Sequence, residues 1–392
     1  MRRAGGLILA AGLAGCAPRP QPVDLLSDKA LATWTHADVV GRDREWVAGQ
    51  TGKQVRINDV VRRTLPASPP SAIRYAVDIP SGARLTLACG IAPDKQDRPA
   101  TEFVVKIRHD GREDTVWTQL LDPASRPAHR KWVTADIDLA AHAGRGREIV
   151  LETRGYESGD DVRRAFWAEP AITVPDRDAP LVIVYLVDTL RADHTTPYGY
   201  ARDTTPELAA FARDAVLFEQ AIAQASWTKP SVASILTSQL PGRHRAVQLR
   251  DTLDAGHTTL AEMFSAKGYA TGAAVANSVI YGAGGNFEQG FDSFAGLHGA
   301  GDRPSKAVDA DVVVDAALSF LDARRGFPRF LYVHTMDPHV PYGSPPPFDR
   351  KFDPPPAPGR EAADPRSDYQ EPMDRERLIA QYDGAVAFGD RE

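Results

Sequence analysis

From about residue 45 to 175 the chain alternates apolar and polar positions in short runs. Examples are Ser71 to Ile79, Ala83 to Cys89, Glu102 to Arg108, Val116 to Leu121, Lys131 to Ile137 and Glu148 to Arg154. Period-two alternation interrupted by Gly, Pro, Asp and Ser clusters at hairpin spacing predicts an all-β sandwich over 45–175. After Pro175-Asp176-Arg177-Asp178-Ala179-Pro180 the texture changes. Leu181 to Val187 is a continuous Val- and Ile-rich run, as expected of a strand buried on both faces of a parallel sheet. Thr271 to Ala276 and Phe330 to His334 repeat that pattern. Helical periodicity separates them at Pro206 to Asp214, after Thr228, at Thr259 to Lys267 and at Ser305 to Arg324. Strands alternating with helices predict an α/β sheet with flanking helices over 180–392. Pro341 to Pro372, rich in Pro and Asp, reads as a long loop. Leu378, Ile379, Tyr382 and Val386 then fall on one face of a final amphipathic helix.

The first residues belong to neither pattern. Met1-Arg2-Arg3 is a basic start, Leu7 to Leu13 a short apolar run, and Leu13-Ala14-Gly15-Cys16 follows. The run is too short for a mature membrane span and reads as a secretory signal. Small residues directly before Cys16 resemble a bacterial lipobox, which implies acylation of Cys16 and a signal at 1–16; the Pro-rich run over 17 to about 23 reads as the start of a tether assigned to 17–44. Lipid chains would anchor the protein to the cell envelope, at the outer membrane, without spanning it. With Cys16 acylated, Cys89 stands alone, so no intramolecular disulfide is expected; its apolar neighbours make it a buried small hydrophobe. A net charge of −6, with Lys and Arg scattered, argues against nucleic acid as a partner.

Three loops beyond expected strand ends carry polar residues, where open α/β sheets gather ligands. The first begins Val187-Asp188-Thr189, and the Asp188 carboxylate suits a hard divalent cation; as a local feature it reads equally well as a helix N-cap. The second is Ser226-Trp227-Thr228-Lys229-Pro230-Ser231. Thr228 reads as an N-cap with Pro230 in the first turn, and the same position suits a nucleophile beside an anion-binding helix start. Lys229 would add charge there. The third runs from His334 to Asp337-Pro338-His339, where a histidine could bind an oxyanion or protonate a leaving group, although either histidine alone is more often structural.

Taken in order, these segments resemble the sulfatase family of the alkaline-phosphatase superfamily. The matching stretches include Asp188 to Asp193, Pro197-Tyr198-Gly199-Tyr200, Thr205-Pro206, Thr228-Lys229-Pro230-Ser231, Gly268-Tyr269-Ala270-Thr271, Gly290-Phe291-Asp292 and Asp337-Pro338-His339. The resemblance implies a central sheet with flanking helices, a divalent cation (Ca, Mg, Mn or Zn) held by Asp188 and Thr228, and attack on an anionic ester. Lys229, Asn277 and His339 would contact substrate. Sulfatases carry a Cys or Ser, converted to formylglycine, where Thr228 stands, and an arginine where Val232 stands. Threonine cannot be so converted, and a threonine nucleophile resembles phosphoethanolamine transferases and lipoteichoic acid synthases. The family's paired aspartates appear as Asp188-Thr189, and the Lys/His pair after Gly268 to Thr271 is replaced in that vicinity by Asn277. The family's later Asp-His ligands have no counterpart after His339, so this polypeptide is expected to be inactive or incomplete as an enzyme.

The stretch Asp136 to Leu139, Gly144 to Leu151 and Ala165-Phe166-Trp167 also resembles galactose-binding-like jelly rolls, with Trp167 either a sugar platform or a core residue. Two functions are therefore expected to compete. One is a hydrolase or phospho-transferase acting on phosphate or sulfate esters of envelope lipids or glycans. The other is a non-catalytic surface lipoprotein whose β-sandwich binds a glycan or protein partner.

Overall fold

The computed structural model of the chain describes residues 20–39, 42–93, 100–155, 165–282, 284–297, 308–342, 344–353 and 375–392. Cys16 and the proposed signal lie outside these residues, as do 343 and 354–372 of the expected loop. The N-terminal half contains β1 (Val23–Asp24), β2 (Trp34–Val39), β3 (Gln54–Ile57), β4 (Val60–Pro66), β5 (Ser71–Ile79), β6 (Arg84–Ile91), β7 (Thr101–His109), β8 (Arg112–Leu121), β9 (Val133–Asp138), β10 (Gly144–Gly155) and β11 (Ala165–Thr173). Two short helices, α1 (Asp28–Leu31) and α2 (Arg44–Gln50), join them.

One antiparallel sheet has the order β2-β5-β10-β7-β8, and it faces a second sheet containing β4-β11-β6-β9. The alternation seen in sequence is the reason: Ile73, Tyr75, Phe103, Val105, Ile149 and Leu151 of one sheet meet Leu65, Leu85, Ile137 and Trp167 of the other. Each such side chain, fully withdrawn from water, contributes about 1.5–3 kcal/mol. Trp167 is wholly buried and packs edge-on against Phe103 at 4.9 Å, which removes it as a sugar platform. Cys89 is buried and free, and burial pushes its thiol up. Residues 23–39, placed in the tether by composition, form β1, α1 and β2 instead. Leu25, Leu26 and Trp34 are buried in the sandwich core, because their apolar side chains outweigh the nearby prolines.

The second half adds β12 (Leu181–Val187), β13 (Ala270–Val275), β14 (Ser293–Gly296) and β15 (Arg329–Thr335). Its helices are α3 (Pro206–Ala212), α4 (Thr228–Thr237), α5 (Pro241–His244), α6 (Leu260–Ser265), α7 (Ser278–Tyr281), α8 (Ala310–Ala323) and α9 (Arg375–Arg391). The order β12-β15-β13-β14 is parallel throughout. Side chains of α4 and α6 (Val232, Leu236, Ala261) share one core with Ala273, Val275, Phe330 and Tyr332, while those of α8 pack on Ala274, Leu331 and Val333. That two-sided cover explains why β13 is buried at every position. Gly272 lets α8 close in, since a Cβ there would meet the Phe320 ring at 2.7 Å. A capping box between Thr259 and Glu262 starts α6.

Two observations depart from the sequence pattern. First, β12 lies at the sheet edge, so Leu181, Ile183 and Tyr185 are 43–47% exposed rather than buried on both faces. Second, the halves share one sheet: β4 pairs with β11 through residues 64–66 and with β14 through 60–62. Arg63 reinforces that join by donating to Asp292 at 2.5 Å and Asp24 at 3.1 Å. Among the described residues no helix is long and apolar enough to cross a membrane.

Candidate functional site

The carboxyl ends of the parallel strands converge on Asp188. Register places Leu186 of β12 beside His334 of β15, and the Asp188 amide donates to the Thr335 carbonyl at 3.0 Å. Thr189 follows with φ +57°, a left-handed turn that costs a non-glycine residue on the order of 1 kcal/mol and swings the chain away from the strand axis. No helix begins there, so Asp188 is not an N-cap; its side chain is spent on the site.

Three donors meet Asp188 Oδ2. Asn277, just beyond β13, donates through Nδ2 at 2.7 Å, while its Oδ1 accepts from the Val279 amide and so fixes the orientation of the amide. His334 Nε2 lies at 3.1 Å, and the Thr228 hydroxyl donates at 3.1 Å. Burial pushes the Asp188 carboxyl up, but the bonds from His334, Asn277 and Thr228 outweigh it and hold the group below the usual carboxylate range. Behind His334, the Tyr332 hydroxyl lies 3.1 Å from Nδ1. Burial pushes that phenol up, so it keeps its proton.

Thr228 occupies the first position of α4 rather than the cap. Trp227 is the N-cap, and no side chain there accepts the first-turn N–H groups. The expectation of a Thr228 cap is therefore corrected: its hydroxyl is directed to Asp188 instead. Thr228 is half-buried and reachable, and the free helix start beside it suits an anion. Lys229 and His339 are placed differently. The Lys229 amine is buried and donates to the Leu249 carbonyl at 2.8 Å, with burial lowering its pKa despite Asp251. His339 turns its Nδ1 to the Val340 carbonyl at 2.7 Å. Asp188, Thr228 and Asn277 thus come together, whereas the hydrogen bonds of Lys229 and His339 lie elsewhere. The sequence reading passed over His334 in favour of His339; its place at the end of a buried run was the available clue.

A second group of residues holds the loop that carries Asp188. In α9 the fully buried Asp383 accepts from His194 Nδ1 at 2.7 Å, the Tyr200 hydroxyl at 2.7 Å and Arg202 at 2.8 Å. Next to it, the Tyr382 hydroxyl donates to the Thr189 carbonyl and accepts from the Arg191 amide, each at 2.9 Å. Asp390 accepts from the Glu207 and Leu208 amides at the start of α3. The last helix is therefore a clamp on residues 189–208.

Asp188 Oδ2, His334 Nε2 and Thr228 Oγ1 are donors of the kind a borderline cation such as zinc accepts. They fall short of the six to eight oxygens calcium requires. Asp188, His334 and Thr228 are the residues that would hold a divalent cation at this site.

The profile of the family named Sulfatase matches residues 180–392. The chain belongs to the sulfatase family. Over 98 residues it is 34% identical to an uncharacterized protein of Archaeoglobus fulgidus, covering 24% of this chain and 25% of that protein. Among solved structures, the phosphonate monoester hydrolase of Agrobacterium radiobacter is similar at 20% identity and a TM-score of 0.43, over 54% of this chain and 57% of that one. The C-terminal periplasmic domain of EcEptC from Escherichia coli, in complex with Zn, is similar at 18% identity and a TM-score of 0.41, over 55% and 58% of the two chains. This member of the sulfatase family thus spans less than two thirds of each of these relatives.

Proposed function

We propose that this sulfatase-family chain carries an ester-cleaving or ester-transferring site that acts on phosphate esters, with Thr228 as the nucleophile. The observation that supports this reading is the Thr228 hydroxyl donating to an ionised Asp188 at the uncapped start of α4. Asp188 orients Oγ1 and accepts the hydroxyl proton along that bond. Oγ1 forms the new bond to phosphorus as the P–O bond to the leaving alkoxide breaks, giving a phospho-threonine, and the departing oxygen takes a proton from solvent. The first-turn N–H groups of α4 receive the charge of the transferred group. Asn277 and the Tyr332–His334 pair keep Asp188 in place. Asp188, His334 and Thr228 would hold a divalent cation, which would supply positive charge beside the threonine hydroxyl and the ester oxygens.

The reading includes an envelope lipid or glycan as the phosphate ester and an anchor through Cys16. It rests there on the basic start, apolar run and small residues before the cysteine. The test is incubation of the full chain with zinc or manganese and a chromogenic phosphate monoester, followed by peptide mass spectrometry. Phosphate on Thr228, retained in Thr228→Ser and absent in Thr228→Ala, is expected. Sulfate transferred in place of phosphate would redirect the reading to sulfuryl chemistry. A metal-loaded chain that neither cleaves ester nor labels Thr228 would agree with the expected inactivity of this polypeptide and leave the non-catalytic alternative.

A further inference from the structure

The β-sandwich holds a cluster of metal-ligating side chains that the ester site does not use. His109 ends β7, Asp114 lies on β8, and His142 ends a single 3-10 turn (Ala140–His142) between β9 and β10. Register brings them together. Asp114 pairs with Ile107 across the β7–β8 ladder, so its side chain shares the inward face with Ile107. His109, two residues beyond Ile107, projects from that same face at the open end of the sandwich. His142 arrives there from the opposite sheet through β9. The tight turn Asp110-Gly111, with φ of +50° and +75°, fixes the hairpin end.

His109 Nε2 lies 3.2 Å from Asp114 Oδ2, and His142 Nδ1 lies 3.8 Å from the same oxygen. One ligand atom from each of the three residues falls within 4.8 Å of the other two. Tetrahedral zinc, with bonds of about 2.0–2.1 Å, spaces its ligands by about 3.4 Å, so small rotations of these side chains would complete the geometry. His142 Nδ1 is buried without a hydrogen-bond partner among the described residues. An orphaned imidazole nitrogen of this kind calls for an explanation, and a cation supplies one. Behind His109, Asp110 Oδ2 sits 3.5 Å from Nδ1, and Arg147 in turn contacts Asp110 at 3.3 Å. A carboxylate in that position fixes which imidazole nitrogen faces the ion.

We propose that His109, Asp114 and His142 bind a divalent transition-metal ion of the zinc class, clipping the β7–β8 hairpin to the β9–β10 connection. Two imidazoles and one carboxylate select zinc over calcium or magnesium, which prefer all-oxygen shells. Asp114 is half-exposed, so the fourth position is open to water. The clip joins the two sheets of the sandwich and is independent of the ester site at Asp188.

The test uses the untagged, metal-stripped full chain, with the double substitution Asp188→Asn and Thr228→Ala to disable the other site. Zinc titration by calorimetry and thermal melting are the readouts. One zinc equivalent is expected to remain in that background, with a rise in melting temperature that calcium and magnesium do not reproduce. Adding His142→Ala or His109→Ala should abolish both, and Asp110→Asn should weaken zinc binding about 10–100-fold. Should a histidine variant fail to fold by circular dichroism, Asp114→Asn at its half-exposed position carries the test. Absence of zinc binding in the double variant, or an equivalent that survives loss of His142 and Asp114 with unchanged affinity, would overturn the proposal. Because the ester site is disabled throughout, neither result bears on Thr228.

Discussion

Asp337 offers the clearest test of how burial and charge are balanced beside the sheet. It lies two residues past β15, at the start of α8, where it accepts from the Ala310 amide. Its Oδ2 is buried without a hydrogen-bond partner among the described residues. Burial is the largest cause, with the Asp309 and Asp311 charges adding to it, and together they push the carboxyl from 3.8 up to about 7. The favourable helix start does not compensate. A carboxyl whose folded pKa exceeds its unfolded one is held protonated by folding, so stability falls as pH rises from about 4 through about 7 and levels off above that. The difference, 7 − 3.8, corresponds to about 4 kcal/mol at pH 8, since one unit is about 1.4 kcal/mol. At pH 5 the same relation leaves about 2 kcal/mol. Asp337→Asn keeps the shape and the acceptor for Ala310 while removing the charge. Urea denaturation at pH 5, 6.5 and 8 should show the variant more stable than the parent, with a margin that widens as pH rises. A margin that does not change with pH, or an asparagine variant less stable at pH 8, would refute the reasoning.

Two further outcomes follow from the same structure. Asp383→Ala removes a fully buried acceptor from His194, Tyr200 and Arg202. Losing one member of a buried charged network costs about 3–5 kcal/mol, and the partial exposure of Arg202 places this case near the lower figure. Chemical denaturation should record that loss, with earlier proteolytic cutting in 189–204; a loss under about 1 kcal/mol would mean that α9 does not clamp the loop. Ile183→Lys places a charge among the exposed apolar residues of the edge strand β12, where such edges invite pairing with other chains. Light scattering should show less self-association at a stability within about 0.5 kcal/mol of the parent, and unchanged scattering would count against β12 as the sticky edge.

The sequence by itself was enough for whatever depends on local order. The alternation in 71–79 gave β5 with the bounds observed, because side-chain period two is a property of one strand. The helical periodicity from Thr259 to Lys267 likewise located α6 at Leu260–Ser265. Asp188 and Thr228 could be singled out because one follows a strand run and the other opens a helix, while Asn277 came through the family resemblance. Their convergence on a single oxygen could not, since it depends on three strands and a helix lying side by side. Tertiary structure chose His334 over His339: residue 334 faces Asp188 across a parallel ladder, whereas the chain has already turned away by 339. It turned the Lys229 amine to Leu249, although residues 228 and 229 are neighbours, because consecutive helical positions point about 100° apart. It also moved β12 to an exposed edge and joined β4 to β14 across more than 200 residues. Periodicity says which face of an element is apolar. Only packing decides what that face, and the polar residues at its end, will meet.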